Sequence, residues 1–386
     1  MSGKPAPKTK PAAPEKNLAK PPRPHISSTG VTGLFYNSDE KPGFTRVKSG
    51  KHFRYKDTKG DWVRDAEEIQ RINKLAIPPA YTDVWICPSR NGHLQATGKD
   101  ARGRKQYRYH PDWQTQRNDN KFERLQAFGQ ALPRIRARVA RDLVPHRNQP
   151  ISRTLVLATL VRLLDTTFVR VGNDEYARDN GSYGLTTLRN PHAGVRGATL
   201  QLKFRGKSGV MQDLKLNDPK VATVVRRCQQ LPGQLLFQYE DDAGEVRGVG
   251  SGDVNDYLAD IAASRREGDE HFTAKDFRTW HGTVQALELT RLACSGPEPE
   301  TYNAKTIVAE VARQLGNTPA VCRKSYIHPA VMALATDLAA DAGAMTGIWD
   351  ALAKGKPARR MHMAETRLLV FLKAQQRLSK KRRVLR

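Results

Sequence analysis

The hydrophobic pattern changes character once, near residue 110, and that switch limits what the chain can fold into. Before it, apolar residues alternate in short stretches with period two. After it they recur three and four positions apart, the spacing of helices with one buried face. A chain of 386 residues has room for two or three cores of ordinary size. The expectation is therefore an α+β protein, with a small β-rich N-terminal domain followed by a mainly α-helical one.

In the first region, Trp85–Cys87 and His93–Thr97 flank Asn91-Gly92, a pair that tolerates positive φ and predicts a hairpin turn. A second turn over Gly98–Gly103 leads into an alternating strand, Arg104–Tyr109, and a helix is expected from about Ala66 to Leu75. These elements predict a small β-meander over residues 27–112. The polar stretch Pro111–Asn120 predicts a hinge.

The second region, 113–360, opens helical. Val156, Leu160, Leu163, Leu164 and Phe168 fall on one stripe of a helix expected to run to Val169. One hairpin interrupts the helices: Leu200, Leu202 and Phe204 alternate with polar residues, Gly206–Gly209 reverses the chain, and the alternation resumes to Leu216. Residues 361–386 predict a helical, basic extension, and residues 1–26, rich in Lys, Pro and Ala, a disordered basic tail.

Charge narrows the partners. Lys and Arg total 65 against 39 Asp and Glu, a formal charge of +26. Such a field attracts polyanions without choosing among DNA, RNA and acidic membranes. Cys87, Cys228, Cys294 and Cys322 are far apart, with no C-x-x-C and no clustered His, which argues against a zinc site and a disulfide framework. No apolar run is long enough for a membrane helix, and the N-terminus has no apolar stretch of a secretory signal. The expected location is the cytoplasm.

Four segments carry chemistry. In Asn317-Thr318-Pro319, Thr318 suits a helix N-cap and Pro319 the first helical position, which sets Tyr326 about two turns into a short helix beside Arg323 and Lys324. A tyrosine among cations is a plausible nucleophile for a phosphodiester, because positive charge favours the phenolate. Arg170 follows the buried helix at a bend made by Val171-Gly172-Asn173, though an Arg at a helix end also serves the helix dipole. Arg278 stands one turn inside a helix that starts near Thr273-Ala-Lys275-Asp276. Lys207 sits at the hairpin tip, where a solvated turn lysine is the plain alternative.

Their order carries more than any one of them. Arg170, the hairpin Lys207, Lys275-Asp-Phe-Arg278, then Asn317-Thr-Pro with Tyr326 nine residues on resembles the type IB DNA topoisomerases, in their poxvirus-like and bacterial branch. Gly103-Arg104-Lys105-Gln106-Tyr107-Arg108-Tyr109 is similar to a DNA-contacting strand of that family. The resemblance spans about Phe35 to just beyond Tyr326. It implies a catalytic domain of the tyrosine recombinase and type IB topoisomerase kind, and duplex DNA as partner. It also implies a single-strand break through a 3′-phosphotyrosyl bond, strand rotation and religation, with neither ATP nor a metal.

By that resemblance Tyr326 is the nucleophile, Arg170 and Arg278 clamp the phosphate, and Lys207 protonates the departing 5′ oxygen. Asn317 stands where poxviral enzymes carry His, and its amide can donate the same hydrogen bond without titrating. His281 and His328 do not fit the motif. Arg104 and Lys105 are expected on phosphates and Gln106 on a base edge, with Lys275 also facing DNA. Tyr107 and Tyr109 share a strand face that alternation alone leaves open to a core pair; the resemblance favours a DNA-facing one. No obligatory protein partner is implied, and a monomer closing around duplex is the expectation. A tyrosine recombinase is the nearest alternative, but the position three before the second Arg is Lys275 rather than the usual His. A catalytically inactive DNA-binding protein is the other.

Overall fold

A computed structural model describes residues 33–50, 52–145, 149–262, 271–295, 303–337, 348–350, 352–353, 356–357 and 359–384. The expected tail over 1–26 lies outside them. The chain divides into two compact units at Arg117/Asn118.

The first unit is a five-stranded sheet with one helix. Strands β1 (Phe44–Ser49), β2 (His52–Lys56), β3 (Thr82–Ile86), β4 (Leu94–Lys99) and β5 (Lys105–Tyr109) lie in the order β2-β1-β3-β4-β5, each pair antiparallel. This is not the simple meander expected, because β1 pairs with both β2 and β3. Helix α1 (Ala66–Lys74) lies in the crossover, started by Asp65, whose side chain accepts from Glu67 N. Its Ile72 packs with Tyr55, Val84, Ile86 and Ala96 as a small core. Arg46 ties the return to β3, donating to the carbonyls of Ile77 (3.1 Å) and Tyr81 (2.6 Å).

The link from β3 to β4 also differs from expectation. Ile86 pairs with Ala96, leaving a long loop rather than a two-residue turn. Neither Asn91 nor Gly92 has positive φ. Gly92 is required for space: a Cβ there would lie 2.5 Å from Cys87 Sγ. The next turn needs Gly103 for its φ of 73° and is organised by Asp100, which accepts from Arg102 N at 2.9 Å and Arg104 N at 3.0 Å.

The stretch 111–120, expected as a hinge, holds the division between the two units and is helical, the first part of a long helix, α2 (Pro111–Asp142). Proline at its first position loses no hydrogen bond that the helix would otherwise make. The polarity that suggests a hinge reflects weak burial at its start, where Pro111, Asp112 and Thr115 are exposed.

The second unit is built around α3 (Arg153–Thr167), with Val156, Leu160, Leu163 and Leu164 among the residues at its buried centre. Phe168, expected within this helix, ends it two residues early in the left-handed conformation, φ 60°. After α4 (Asp174–Asn180), a three-stranded antiparallel sheet of β6 (Ala193–Arg196), β7 (Thr199–Arg205) and β8 (Met211–Asn217) follows. Leu200, Leu202 and Phe204 bury one face of β7, as alternation requires. Helix α5 (Pro219–Cys228), the ribbon β9 (Gln238–Glu240) and β10 (Val246–Gly248), and α6 (Ser251–Ala262) pack around α3. Then come α7 (Ala274–Ser295), α8 (Ala304–Leu315), α9 (Pro319–Ser325), α10 (Pro329–Asp337) and α11 (Met363–Val384).

The last helix is part of the core, with Leu368, Phe371 and Leu372 buried. It is also held by charge. Arg136 of α2 donates to Asp165 of α3 at 2.7 and 2.9 Å and to Glu365 of α11 at 2.7 and 2.8 Å. Trp280 Nε1 of α7 donates to the same Glu365 at 3.1 Å. Cys87, Cys228 and Cys322 are buried thiols.

Candidate active site

Three distant segments meet at Tyr326. The first is the α8–α9 corner. Gly316 ends α8 with φ 57°, the left-handed conformation glycine adopts without strain. Asn317 N then donates back to Ala312 O at 2.9 Å, and Thr318 caps α9 with Pro319 at its first position. Asn317 is thereby held in a closed turn rather than on a free loop.

Tyr326 is not inside α9, as the sequence suggests, but is its C-terminal cap, with φ −132° and ψ −5°. Its N–H still closes the last turn onto Cys322 O at 2.9 Å. The helix stops there because the donor that would continue it from Ser325 is Pro329, which has no N–H. The Tyr326 carbonyl turns to α7, accepting from Thr283 Oγ1 at 3.2 Å. Gly282 permits this approach, since a Cβ there would stand 2.7 Å from that carbonyl oxygen.

The second segment is the start of α7. Asp276 accepts from the N–H (2.7 Å) and hydroxyl (3.1 Å) of Thr273, which orders the first turn. Arg278, one turn in, is only 4% exposed. Its Nη1 donates to Phe168 O and its Nη2 to Leu315 O at 2.6 Å, while Nε is buried with no acceptor. Phe168 is thus a strained residue whose carbonyl is aimed at Arg278. Leu315 is the last residue of α8, so one guanidinium ties together the ends of two helices whose final carbonyls lack intrahelical donors. Its carbon centre lies 5.1 Å from the Tyr326 ring centroid.

The third segment is Arg170, in the turn beyond α3. Its carbonyl accepts from Leu185 N at 2.9 Å, and Gly172, φ 112°, completes the bend. Its side chain donates to Asn317 Oδ1. Burial lowers the Arg278 pKa, and the Arg170 charge lowers it further, so the pair gains from an anion set between them.

Burial alone would raise the Tyr326 phenol. The positive charges of Arg278, Arg170 and Lys121 outweigh it and hold the phenol below its ordinary value. Lys121 is a residue that sequence reasoning missed. It comes from α2, and its Nζ donates to Ser325 O and lies 5.2 Å from the Tyr326 ring centroid. No local motif marks it; it lies just past the polar stretch expected to be a hinge. Arg323 and Lys324, adjacent in sequence to the tyrosine, are exposed in the last turn of α9.

Lys207 is not gathered into this cluster. It is exposed at the β7–β8 turn, and no hydrogen bond or ion pair among the described residues joins it to Tyr326, Arg170 or Arg278. Lys275 is exposed at the start of α7. His281 sits 3.2 Å from Asp165, while His328 accepts from Ala330 N at 3.1 Å and is pushed by burial down to about 4. Neither histidine shares the Asn317 contacts.

The candidate DNA-facing residues of the first unit lie on β5, an edge strand, or, for Arg104, just before it. Two of the cationic and amide side chains share one anchor: Arg104 pairs with Asp100 at 2.7 Å, and Gln106 Nε2 donates to the same carboxylate at 3.0 Å. Asp100 is held down to about 2, mainly by the Arg104 hydrogen bond. Lys105 pairs with Asp39 at 2.6 Å. Tyr107 is 47% exposed and stacks on Tyr109 with centroids 6.1 Å apart, so the pair is not a sealed core pair. Among the described residues no His, Cys, Asp and Glu group has the composition of a metal site.

Comparison with known proteins agrees with this geometry in extent. Residues 110–344 match the family described as eukaryotic DNA topoisomerase I, catalytic core, and residues 52–100 match the bacterial DNA topoisomerase IB N-terminal domain. The chain is 33% identical over 304 residues to a DNA topoisomerase 1B of Acanthamoeba polyphaga mimivirus, covering 75% of this chain and 87% of that protein. It is 23% identical over 305 residues to a DNA topoisomerase I of Monkeypox virus, covering 75% and 89%. A DNA topoisomerase 1 of Mycosarcoma maydis is 25% identical over 194 residues, 45% of this chain and 18% of that protein. With both its regions matched and most of its length shared with such a relative, the chain belongs to the type IB DNA topoisomerase family.

Proposed function

We propose that this chain relaxes supercoiled duplex DNA, with Tyr326 as its nucleophile. The Tyr326 phenol gives its proton to solvent, and its oxygen forms a bond to a backbone phosphorus as the bond to the 5′ oxygen breaks, leaving a 3′-phosphotyrosyl link and a free 5′ end. The 5′ oxygen takes a proton from Lys207. After strand rotation the 5′ hydroxyl returns the proton to Lys207, attacks the same phosphorus and releases Tyr326, which regains a proton from solvent. The covalent link conserves the phosphodiester energy, so no nucleotide is consumed.

The single observation that carries this reading is the convergence on Tyr326 of Arg278 and of the Arg170–Asn317 pair, from segments far apart in sequence. Charge builds up on the phosphoryl oxygens in the transition state. Two guanidiniums answer it with fixed, permanently charged donors, as a metal ion does elsewhere. Arg278 brings a buried Nε with no protein acceptor, a donor suited to a non-bridging oxygen. Lys207 serves as the acid because an ammonium can give up its proton where a guanidinium does not. Its exposed turn requires that the hairpin tip meet the 5′ oxygen when DNA is bound.

Duplex DNA is the partner, and the charge of +26 suits it. On β5, the ion pairs of Arg104 and Lys105 exchange a carboxylate for a phosphate, and Tyr107 offers an exposed ring. One chain supplies every group, so a monomer suffices, acting at the bacterial nucleoid. Among the described residues no helix is long and apolar enough to cross a membrane.

The test is relaxation of supercoiled plasmid in EDTA without nucleotide, comparing wild type with Tyr326→Phe. Relaxation by the wild type alone is expected. Binding without relaxation by the wild type would overturn the activity, and relaxation by both would misplace the nucleophile.

A further inference from the structure

We propose that Lys121 is a positioning residue for the tyrosine nucleophile, holding the Ser325 carbonyl and setting a second positive charge beside the Tyr326 ring. This assignment rests on Tyr326 being the nucleophile.

The backbone creates the need. The last carbonyls of a helix have no intrahelical donor. For Ser325 O the next donor in register is residue 329, and Pro329 has none. Lys121 Nζ fills that role across 204 positions of sequence. A cation also suits the negative end of α9. On the other side the Thr283 hydroxyl is shared between Thr279 O at 2.8 Å and Tyr326 O at 3.2 Å. The peptide carrying the nucleophile is therefore held at Ser325 by α2 and at Tyr326 by α7.

The same ammonium lies 5.2 Å from the Tyr326 ring centroid, and Arg278 lies 5.1 Å from it. As the phenol ionises the ring gains electron density, so a cation at this range attracts the phenolate more than the neutral side chain. Among the described residues, four charged or titratable groups stand out around the phenol. They are Arg278 of α7, Arg170 beyond α3, Lys121 of α2 and the Cys322 thiol of α9, which burial raises and keeps neutral. His328, close in sequence, is pushed down to about 4 and is neutral at working pH. Lys121 is thus one of three cations acting on the nucleophile, and it also donates to the carbonyl just before it.

The experiment is single-turnover cleavage of a short duplex whose 5′ fragment dissociates, followed by covalent adduct on gels from pH 5 to 10. Wild type, Lys121→Met, Lys121→Gln, Lys121→Arg and Tyr326→Phe are compared, with thermal melting of each. The ascending limb of the Lys121→Met and Lys121→Gln profiles is expected to move up by about one pH unit, a roughly tenfold rate loss on that limb. Lys121→Gln, still a donor to Ser325 O, loses less plateau rate than Lys121→Met, and Lys121→Arg restores the wild-type limb. If Lys121→Met does not fold, Lys121→Gln and Lys121→Arg decide the same question. A limb unmoved in the neutral variants overturns the charge role, whether or not the rate falls at every pH. Adduct formed by Tyr326→Phe overturns the nucleophile assignment itself, whereas loss of adduct there with an unmoved Lys121→Gln limb overturns Lys121 alone.

Discussion

The guanidinium of Arg170 donates to Oδ1 of Asn317, and this settles which way the Asn317 amide faces. Arginine has no acceptor, so the atom turned to it must be the carbonyl oxygen, and the NH2 remains to donate. It meets the Cys322 thiol and, at 3.5 Å, the limit of a hydrogen bond, Leu315 O. Asn317→Ala is therefore expected to slow single-turnover cleavage by about 10²-fold, the usual cost of one electrostatic donor. Asn317→Asp should lose more, because its carboxylate neutralises Arg170 and repels the phosphate. Wild-type rates in Asn317→Ala would remove the residue from the site.

The two arginines should differ in what else they support. Arg278 satisfies the Phe168 and Leu315 carbonyls. Arg278→Ala is expected to lose about 10²–10³ in cleavage rate and also about 1–3 kcal/mol of stability from carbonyls left without donors. Arg170, half-buried, donates its side chain to a side chain, so Arg170→Ala should lose rate with a smaller fall in Tm. Paired melting and cleavage measurements separate them; equal melting losses would contradict the assignment.

For Lys207, the informative substrate has sulfur in place of the 5′ oxygen, a leaving group that needs no proton. Lys207→Ala should cut oxygen substrates far more slowly than wild type, yet match it closely on sulfur. Equal losses on both would mean that Lys207 is not the acid.

Acid should weaken the fold through the Arg136 network. Burial would raise the Asp165 carboxyl, but His281 and Arg136 outweigh it and hold it well below the carboxylate range. Burial likewise would raise the Glu365 carboxyl, and Arg136 outweighs it and holds it below its ordinary value. A depressed acid contributes its stability above its unfolded pKa of about 4 and loses it as pH falls toward the folded value. Urea unfolding should therefore show wild-type stability dropping steeply below about pH 4. Asp165→Asn should be weaker at pH 7 by about 3 kcal/mol and less steep in acid. Parallel slopes for the two proteins would exclude Asp165 from the acid response.

Residues that act through their neighbours in sequence were legible without coordinates. The alternation of Leu200, Leu202 and Phe204, the α3 stripe, and the Gly316–Asn317–Thr318–Pro319 corner all encode their conformation within a few positions. Local pattern also failed where distance decides. The polar residues after Pro111 mark the division between the units but not the helix that carries it, and Asn91-Gly92 suggests a tight turn where Gly92 instead makes room for Cys87.

Sequence by itself determined the two-part α+β architecture, the basic character, and the order of chemical groups that ends in Tyr326. Only the tertiary structure decided what surrounds that tyrosine. Arg278 had to be buried against two helix ends, and Arg170 turned onto Asn317. Lys121 had to come from α2 to a carbonyl that Pro329 leaves without a donor. Hydrogen bonds and Coulomb forces act over a few ångströms of space and are blind to separation along the chain, so these partners carry no local pattern.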